Sequence, residues 1–108
     1  MPHYLIRFGH TAETWQHLID HPEDRRDAVR KTVEAAGGTL HGYWYAFGYQ
    51  DGFVFIEGPD NVAAAAVSVL VGSSGALRFV DTTVLISVEE MLQALAKAKE
   101  LPYRAPGG

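Results

Sequence analysis

The feature that most constrains the fold is an aromatic stretch interrupted by a turn, YWYAFGYQDGFVFIEGPDN at residues 43–61. Aromatic and β-branched residues favour strands, and the segment from Gly48 to Gly52 has the glycines and the aspartate of a hairpin turn. A Gly-Pro pair then ends the second strand, and Asp60 can cap a following helix. The stretch therefore predicts a β-hairpin that leads directly into a helix.

The segments on either side of this hairpin have patterns of their own. Alternating residues predict a first strand over residues 3–9 and a fourth strand over residues 78–86. Between the first strand and the hairpin we expect two helical segments, with a break near Asp20-His21 before Pro22. Ser87 and Glu90 form a capping box that starts a last helix.

The resulting order is βαββαβ with an additional C-terminal helix, which is the ferredoxin-like pattern of α+β proteins. We expect one domain over residues 1–100 and a flexible Pro/Gly tail over residues 101–108. The helix that follows Asp60 is apolar on nearly all sides, which predicts burial on more than one side. The helices of this fold cover one face of the sheet, so the other face needs a partner or must be polar.

Side chains alternate along strands, so the residues can be assigned to two faces by parity. The first set is aliphatic and small: Tyr4, Ile6, Phe8, Leu40, Gly42, Trp44, Ala46, Val54 and Ile56. The second set is aromatic with polar groups: His3, Leu5, Arg7, His41, Tyr43, Tyr45, Phe47, Phe53, Phe55 and Glu57. Asp81 and Thr83 of the fourth strand can join the second set. A solvated face would not carry so many rings, so the second set predicts an interface, a pocket or both.

Charge and composition narrow the class of protein. The net charge is −4, which argues against a nucleic-acid partner because phosphate binding needs clustered Lys and Arg. The basic cluster from Arg25 to Lys31 alternates with acidic residues, which is typical of a solvated helix face. The chain has no cysteine, so a disulfide, a thiolate metal site and a cysteine nucleophile are excluded.

The hydropathy pattern indicates no membrane partner. The longest apolar run, residues 62–72, is about half of the roughly 20 residues that span a bilayer. No signal peptide precedes the first strand, since Met1-Pro2-His3 leads straight into it. We therefore expect a cytoplasmic protein.

Five segments together resemble the GYD-domain family of small bacterial and archaeal proteins, over most of the chain from Tyr4 to about Ala98. They are YLI at residues 4–6, PEDRRDAVR at 22–30, GGTLHGYWYAFG at 37–48, DGFVFIEGPDN at 51–61 and TTVLISVEE at 82–90. In the name-giving Gly-Tyr-Asp element, Gly48 and Asp51 match by position, whereas Tyr49 and Gln50 differ from the family pattern.

The resemblance implies a dimeric α/β barrel, in which two ferredoxin-like sheets face each other. A partner of the chain would then be a second copy of itself, in a homodimer or a higher homo-oligomer. The wider superfamily includes cofactor-independent monooxygenases, small isomerases and decarboxylases, and ligand-binding domains. This likeness operates at the level of the fold and does not assign a reaction.

The candidate ligand-binding residues all belong to the second face: His3, Arg7, His41, Tyr43, Tyr45, Phe53 and Phe55. A neutral histidine beside Tyr or Asp81 can act as a general base, and Arg7 can hold a carboxylate or an enolate. Alternatively, these side chains are hydrogen-bonded polar groups inside an oligomer interface. The sequence assigns no catalytic residue.

Three functions are compatible with this face. The first is an oligomeric module that binds a small organic ligand on its sheet. The alternative is a cofactor-independent enzyme, of the monooxygenase or isomerase type, that acts on a small aromatic or carbonyl compound. The third is a purely structural oligomer.

We expect no cofactor and no metal site. His17 and His21 have the i, i+4 spacing of a helical metal site, but Pro22 disrupts the helix there. Removing metal with a chelator should therefore leave the thermal stability unchanged. Asp51 is interpreted as a turn-forming residue rather than a catalytic one.

Overall fold

The computed structural model describes residues 1–107 and contains a four-stranded sheet with helices packed on one side. The elements are β1 His3–His10, α1 Ala12–Asp20, α2 Arg26–Ala35, β2 Thr39–Tyr45, β3 Gly52–Glu57, α3 Asn61–Gly72, β4 Leu77–Leu85 and α4 Val88–Glu100. The strands lie in the order β2-β3-β1-β4, and every neighbouring pair is antiparallel. This is the predicted ferredoxin-like arrangement with one helix added at the C-terminal end.

The hydrophobic core lies between the sheet and the helices α2 and α3. Its buried residues are Tyr4, Ile6, Phe8, Val33, Val54, Ile56, Ala64 and Val67. Those of β1 and β3 occur at every second position, so they point to one face, as parity predicts. The hydroxyl of Tyr4 donates a hydrogen bond to Oδ1 of Asn61 at 2.7 Å, which joins β1 to the start of α3.

Three helices begin at side chains that cap their free backbone N–H groups. Thr11 accepts a hydrogen bond from the N–H of Thr14, and Asp60 accepts one from the N–H of Ala63. Ser87 and Glu90 form the predicted capping box of α4. These caps satisfy donors that a helix cannot satisfy internally, so each fixes where its helix starts.

The connection between α1 and α2 is longer than the sequence predicts. The break near Asp20 is confirmed, because α1 ends at that residue. However, α2 begins only at Arg26, so Pro22 lies in the connection and not in the first turn of the second helix. Gly37, with φ at +89°, follows the end of α2 in a conformation that glycine adopts without strain.

Helix α3 is less buried than its apolar sequence predicts. Ala64 and Val67 are buried, whereas Val62, Val69 and Leu70 are exposed. The expectation of burial on more than one side is therefore wrong for the single chain. The reason is that α3 packs chiefly along β4 of the sheet, with no further layer over its outer side within residues 1–107.

Helix α4 projects from the rest of the chain. It has no buried residue, and its apolar side chains Met91, Leu92 and Leu95 are exposed. The Cα radius of gyration is 17.6 Å, whereas a compact domain of this size has about 13 Å. Residues 101–107 follow without helix or strand, and Gly108, the last residue of the predicted tail, lies outside the described residues.

Among residues 1–107, no helix has both the length and the apolar character that crossing a membrane requires.

Candidate functional site on the open sheet face

The sheet face opposite the core has no buried side chain among its central residues, and we call it the open face. It consists of His3, Leu5, Arg7, His41, Trp44, Phe53, Phe55, Glu57, Asp81 and Thr83. Each of these residues is partly or fully exposed, although the set includes three large rings. The predicted positions of Asp81 and Thr83 are confirmed, since they are register partners of Arg7 and Leu5.

Two histidines and a glutamate meet at one end of the open face. Nε2 of His41 lies 2.8 Å from Oε1 of Glu57, and Nε2 of His3 lies 3.7 Å from the same oxygen. The hydrogen bond from His41 lowers the pKa of the Glu57 carboxyl, and the charges of His3 and the N-terminal amine act in the same direction. Glu57 is therefore a carboxylate at neutral pH and accepts the hydrogen bond from His41.

Phe55 holds the two imidazole rings in place. The centroid of its ring is 5.5 Å from that of His3 and 5.5 Å from that of His41, and the His3 ring lies nearly parallel to it. The two imidazole centroids are 5.8 Å apart. Ring contacts of this kind restrict side-chain rotation, so the polar cluster is supported by an apolar side chain of the central sheet.

Arg7 forms a second polar position further along β1. Its Nη1 donates a hydrogen bond to Oγ1 of Thr83 at 2.8 Å and lies 4.0 Å from Oδ2 of Asp81. The side chain of Asp81 is 63% exposed, and among residues 1–107 no carboxylate forms a bidentate pair with the guanidinium. A guanidinium carries five N–H donors, so Arg7 has more donors than its bond to Thr83 uses, and an anionic group can accept the others.

Tyr43 and Tyr45 do not lie on the open face, and the parity assignment for them is wrong. Leu40 pairs with Ile56, whereas Gly42 pairs with Phe55, so the alternation shifts by one residue at a β-bulge. An extra residue inverts the faces of everything that follows it in the strand. The structure therefore brings together five of the seven predicted site residues, and it places Trp44 on the open face instead of the two tyrosines.

Beyond the bulge, the two tyrosines contact the helix side of the sheet. Tyr43 packs against the core, with its ring 5.7 Å from that of Phe8, and its burial raises its pKa. Tyr45 lines a separate open pocket of about 630 Å³ beside Trp15 and Phe47. The prediction that both tyrosines share a ligand site with Arg7 has no support in this geometry.

The ring of His10 is buried next to this second pocket. It packs edge-on against Trp15 with centroids 4.8 Å apart, and neither ring nitrogen has a hydrogen-bond partner within the described residues. Burial lowers the pKa of His10, and the charge of Asp51 offsets this only in part. The ring is therefore neutral at neutral pH.

Asp51 has the structural role that its place in the turn suggests. Its Oδ2 accepts a hydrogen bond from the backbone N–H of His10 at 2.8 Å and lies 3.5 Å from Nη2 of Arg78. The carboxylate thus joins the hairpin turn to the end of β1. It bonds to the backbone of His10 and not to the backbone of the turn itself. Its carboxylate is turned toward these partners and away from the open face.

The basic cluster is solvated, as predicted, although Arg25 precedes α2 and only its later members lie on the helix. The contacts of its three arginines are ion pairs within the same short segment: Arg25 with Glu23, Arg26 with Asp24 and Arg30 with Asp27. The pairing with Arg26 lowers the pKa of Asp24 to about 2. These cations are therefore engaged locally.

The helical spacing in the sequence pointed only to His17 and His21 as candidate metal ligands, whereas the structure brings a different set together. Possible ligand atoms of His3, His41 and Glu57 lie within 4.8 Å of one another. Gly42, a glycine inside a predicted strand, was the signal of a bulge that could have placed Trp44, and not the two tyrosines, on the open face.

The antiparallel sheet, with helices on one side and an open aromatic face on the other, defines an α+β protein of the ferredoxin-like class. The profile of the GYD domain matches residues 4–95 of the 108-residue chain. The chain therefore belongs to the GYD domain family.

Among solved structures, the crystal structure of FFRP-DM1 is similar to this chain with a TM-score of 0.51. The match covers 80% of this chain and 100% of that chain, at 14% sequence identity. At this identity the likeness concerns the fold alone. No curated protein matches the sequence.

Proposed function

We propose that this chain is a homo-oligomeric module in which the open faces of two copies meet and enclose a cavity for a small organic ligand. The observation that carries the proposal is the open face itself, where Trp44, Phe53 and Phe55 share a surface that no helix covers. Soluble monomers rarely leave a continuous apolar patch of this kind in water. The surface is therefore suited to a partner.

A second copy of the chain is the occupant that the surface fits best. The open face carries both a cationic group, Arg7, and the acidic groups Glu57 and Asp81. In a two-fold pair, the same surface patch of both copies forms the contact. A face with both positive and negative groups can therefore pair the positive groups of one copy with the negative groups of the other. The exposed apolar residues of α4 supply a further surface that a partner can bury.

The expected ligand is a small aromatic or carbonyl compound with an anionic group. Phe53 and Phe55 provide apolar walls, and the free donors of Arg7 provide a position for a carboxylate. The cluster of His3, His41 and Glu57 lies at the start of β1, where His3 is four residues before Arg7, which is about 13 Å in an extended strand. The two polar positions are therefore separated by an apolar floor.

Light scattering coupled to size exclusion tests the assembly. The wild type should have at least twice the mass of one chain at micromolar concentration. Phe55→Glu should reduce this mass, because a carboxylate would be placed in the contact. Ile19→Glu is the matched control, since Ile19 is 69% exposed on α1 and should leave the mass unchanged. A single-chain mass for the wild type would contradict the proposal.

A thermal-shift screen with aromatic carboxylates tests the ligand. A ligand that binds the folded state raises the melting temperature. Arg7→Gln should abolish that rise, and Arg30→Gln should preserve it, because Arg30 pairs with Asp27 on the surface of α2. Equal responses in both variants would place the ligand elsewhere.

The second candidate is a cofactor-independent enzyme acting on the same class of compound. The hydrogen bond of 2.8 Å between His41 and Glu57 favours it, because a carboxylate that orients an imidazole supports general-base chemistry. Product analysis by mass spectrometry after incubation with the hits of the screen tests this. Turnover should vanish in His41→Ala with binding retained; hits that bind without conversion would leave the binding module as the function.

A further inference from the structure

We propose that His3, His41 and Glu57 bind a divalent transition-metal ion, such as Zn²⁺, on the open face. The proposal goes beyond the organic ligand, because it needs neither that ligand nor a second copy of the chain. Two imidazole nitrogens and one carboxylate oxygen are a donor set that Zn²⁺ and its neighbours in the first transition row accept. Hard cations such as Mg²⁺ prefer sets made of oxygen alone.

The distances between the donor atoms suit a single ion. An ion with bonds of about 2.0–2.1 Å in tetrahedral geometry places its donors about 3.3 Å apart. Oε1 of Glu57 lies 2.8 Å from Nε2 of His41 and 3.7 Å from Nε2 of His3. All three possible ligand atoms lie within 4.8 Å of one another, so modest side-chain rotations complete the set.

The backbone that carries the three side chains is a continuous part of the sheet. Each ligand comes from a different strand, and β2, β3 and β1 are neighbours in the sheet order. His3 and Glu57 are direct register partners, and His41 of β2 contacts the carboxylate of Glu57 on the same face. Phe55 contacts both imidazole rings and limits their movement. Sites built on strands hold their geometry better than sites built on loops.

The site keeps open positions toward solvent. The side chains of His3, His41 and Glu57 are 45%, 38% and 25% exposed, so the ion would not be enclosed by protein. Three protein ligands leave at least one position for water or for an oxygen of another molecule. In a paired assembly, that position faces the space between the two sheets.

One other pair of histidines competes for the same ions. The rings of His17 and His21 have centroids 5.3 Å apart, near the end of α1. This pair lacks the carboxylate that Glu57 supplies to the open-face set. It therefore provides a matched control for adventitious binding by exposed histidines.

Isothermal titration of the untagged, chelator-treated chain with Zn²⁺ tests the proposal. We expect one ion per chain, and a loss of affinity of at least about 100-fold in each of His3→Ala, His41→Ala and Glu57→Gln. The double variant His17→Ala/His21→Ala should bind as tightly as the wild type. Far-ultraviolet circular dichroism of each variant shows whether its fold is intact.

Titration with Co²⁺ gives an independent readout, because its visible absorption reports the number and geometry of its ligands. The wild type should give the bands of a cobalt centre with nitrogen donors, and folded Glu57→Gln should lose them. No binding by the wild type, or binding lost only in the His17→Ala/His21→Ala variant, would overturn the proposal. Arg7→Gln should keep the metal site, so a failure of the organic-ligand proposal and a failure of the metal proposal are distinguishable.

Discussion

Nε2 of His41 lies 2.8 Å from Oε1 of Glu57, although the two residues are 16 positions apart in the chain. Alternation alone places His41 on the open face, because Leu40 before it packs toward the core. The bulge between Leu40 and Gly42 changes the faces of the residues that follow. At the bulge, His41 reaches across β2 to the end of β3. The irregular residue instead places Trp44 on the open face and turns Tyr43 toward the core.

Replacing Leu92 on the projecting helix α4 should weaken the assembly. Leu92 is 61% exposed in the single chain, together with Met91 and Leu95, so a partner is needed to bury this side of the helix. Leu92→Glu should lower the mass measured by light scattering at a fixed concentration. The control is Gln93→Glu, which adds the same charge one residue further along. An unchanged mass in Leu92→Glu would show that α4 takes no part in the assembly.

Adding one methyl group at Gly52 should destabilise the fold. A Cβ atom at this position would overlap the ring of Phe8, which is 4% exposed and cannot move aside. Overpacking of this kind costs about 1–3 kcal/mol, measured as the free energy of unfolding in urea. The matched change Gly48→Ala should be nearly neutral, since no atom lies within 4 Å of the new Cβ. Equal effects in the two variants would contradict the close packing of Gly52 on Phe8.

Removing the carboxylate of Asp51 should also lower the stability. Asp51 is 8% exposed and accepts the backbone N–H of His10, which Asp51→Ala would leave without a partner. An unsatisfied buried donor costs about 1–3 kcal/mol. Asp27→Ala is the control, because its carboxylate is 81% exposed. If Asp51→Ala unfolds at the same urea concentration as the wild type, Asp51 does not anchor the turn.

His10 should make the protein sensitive to mild acid. Burial lowers its pKa in the folded state, whereas the unfolded chain takes up this proton near the ordinary value of about 6.5. Between these two pKa values the unfolded state binds more protons, so the free energy of unfolding falls as the pH drops below about 6.5. Above that pH, the contribution is fully present.

His10→Phe tests this by removing the titrating ring while keeping an aromatic side chain. Urea unfolding at a fixed protein concentration, repeated from about pH 7.5 to about pH 5.5, should show a smaller loss of stability in the variant. The other histidines titrate in both proteins and cancel in the comparison. Parallel curves for the two proteins would mean that His10 is not buried as a neutral ring.

Sequence reasoning succeeded where the determinants are local. The caps at Asp60 and Ser87 and the alternation of β1 and β3 depend on residues a few positions apart, and the structure contains all of them. It failed for β2, because a strict period of two cannot accommodate the residue that the bulge adds. Strict alternation places Phe55 correctly, because β3 pairs with β1 without a bulge. It places Tyr43 wrongly, because Tyr43 follows the bulge in β2.

The candidate site was harder to predict than the fold for a related reason. The sequence placed His3, His41 and Glu57 on one face, but their separation depends on how β1, β2 and β3 align. The register between strands arises from contacts between distant parts of the chain. It cannot be inferred from the alternation of side chains along a single strand. Similarly, the exposure of Val69 on α3 could not be inferred from an apolar helix sequence, because it depends on how many layers the fold has.

Strand β1 carries two sets of residues in alternation, with Tyr4, Ile6 and Phe8 in the core and His3, Leu5 and Arg7 on the open face. Inserting or deleting one residue in the middle of this strand would exchange the two sets beyond that point. An arginine would then be forced into the core while a phenylalanine entered the water-facing site. Insertions and deletions in β1 are therefore far less tolerable than substitutions. The residues of the site can change only by replacing individual side chains.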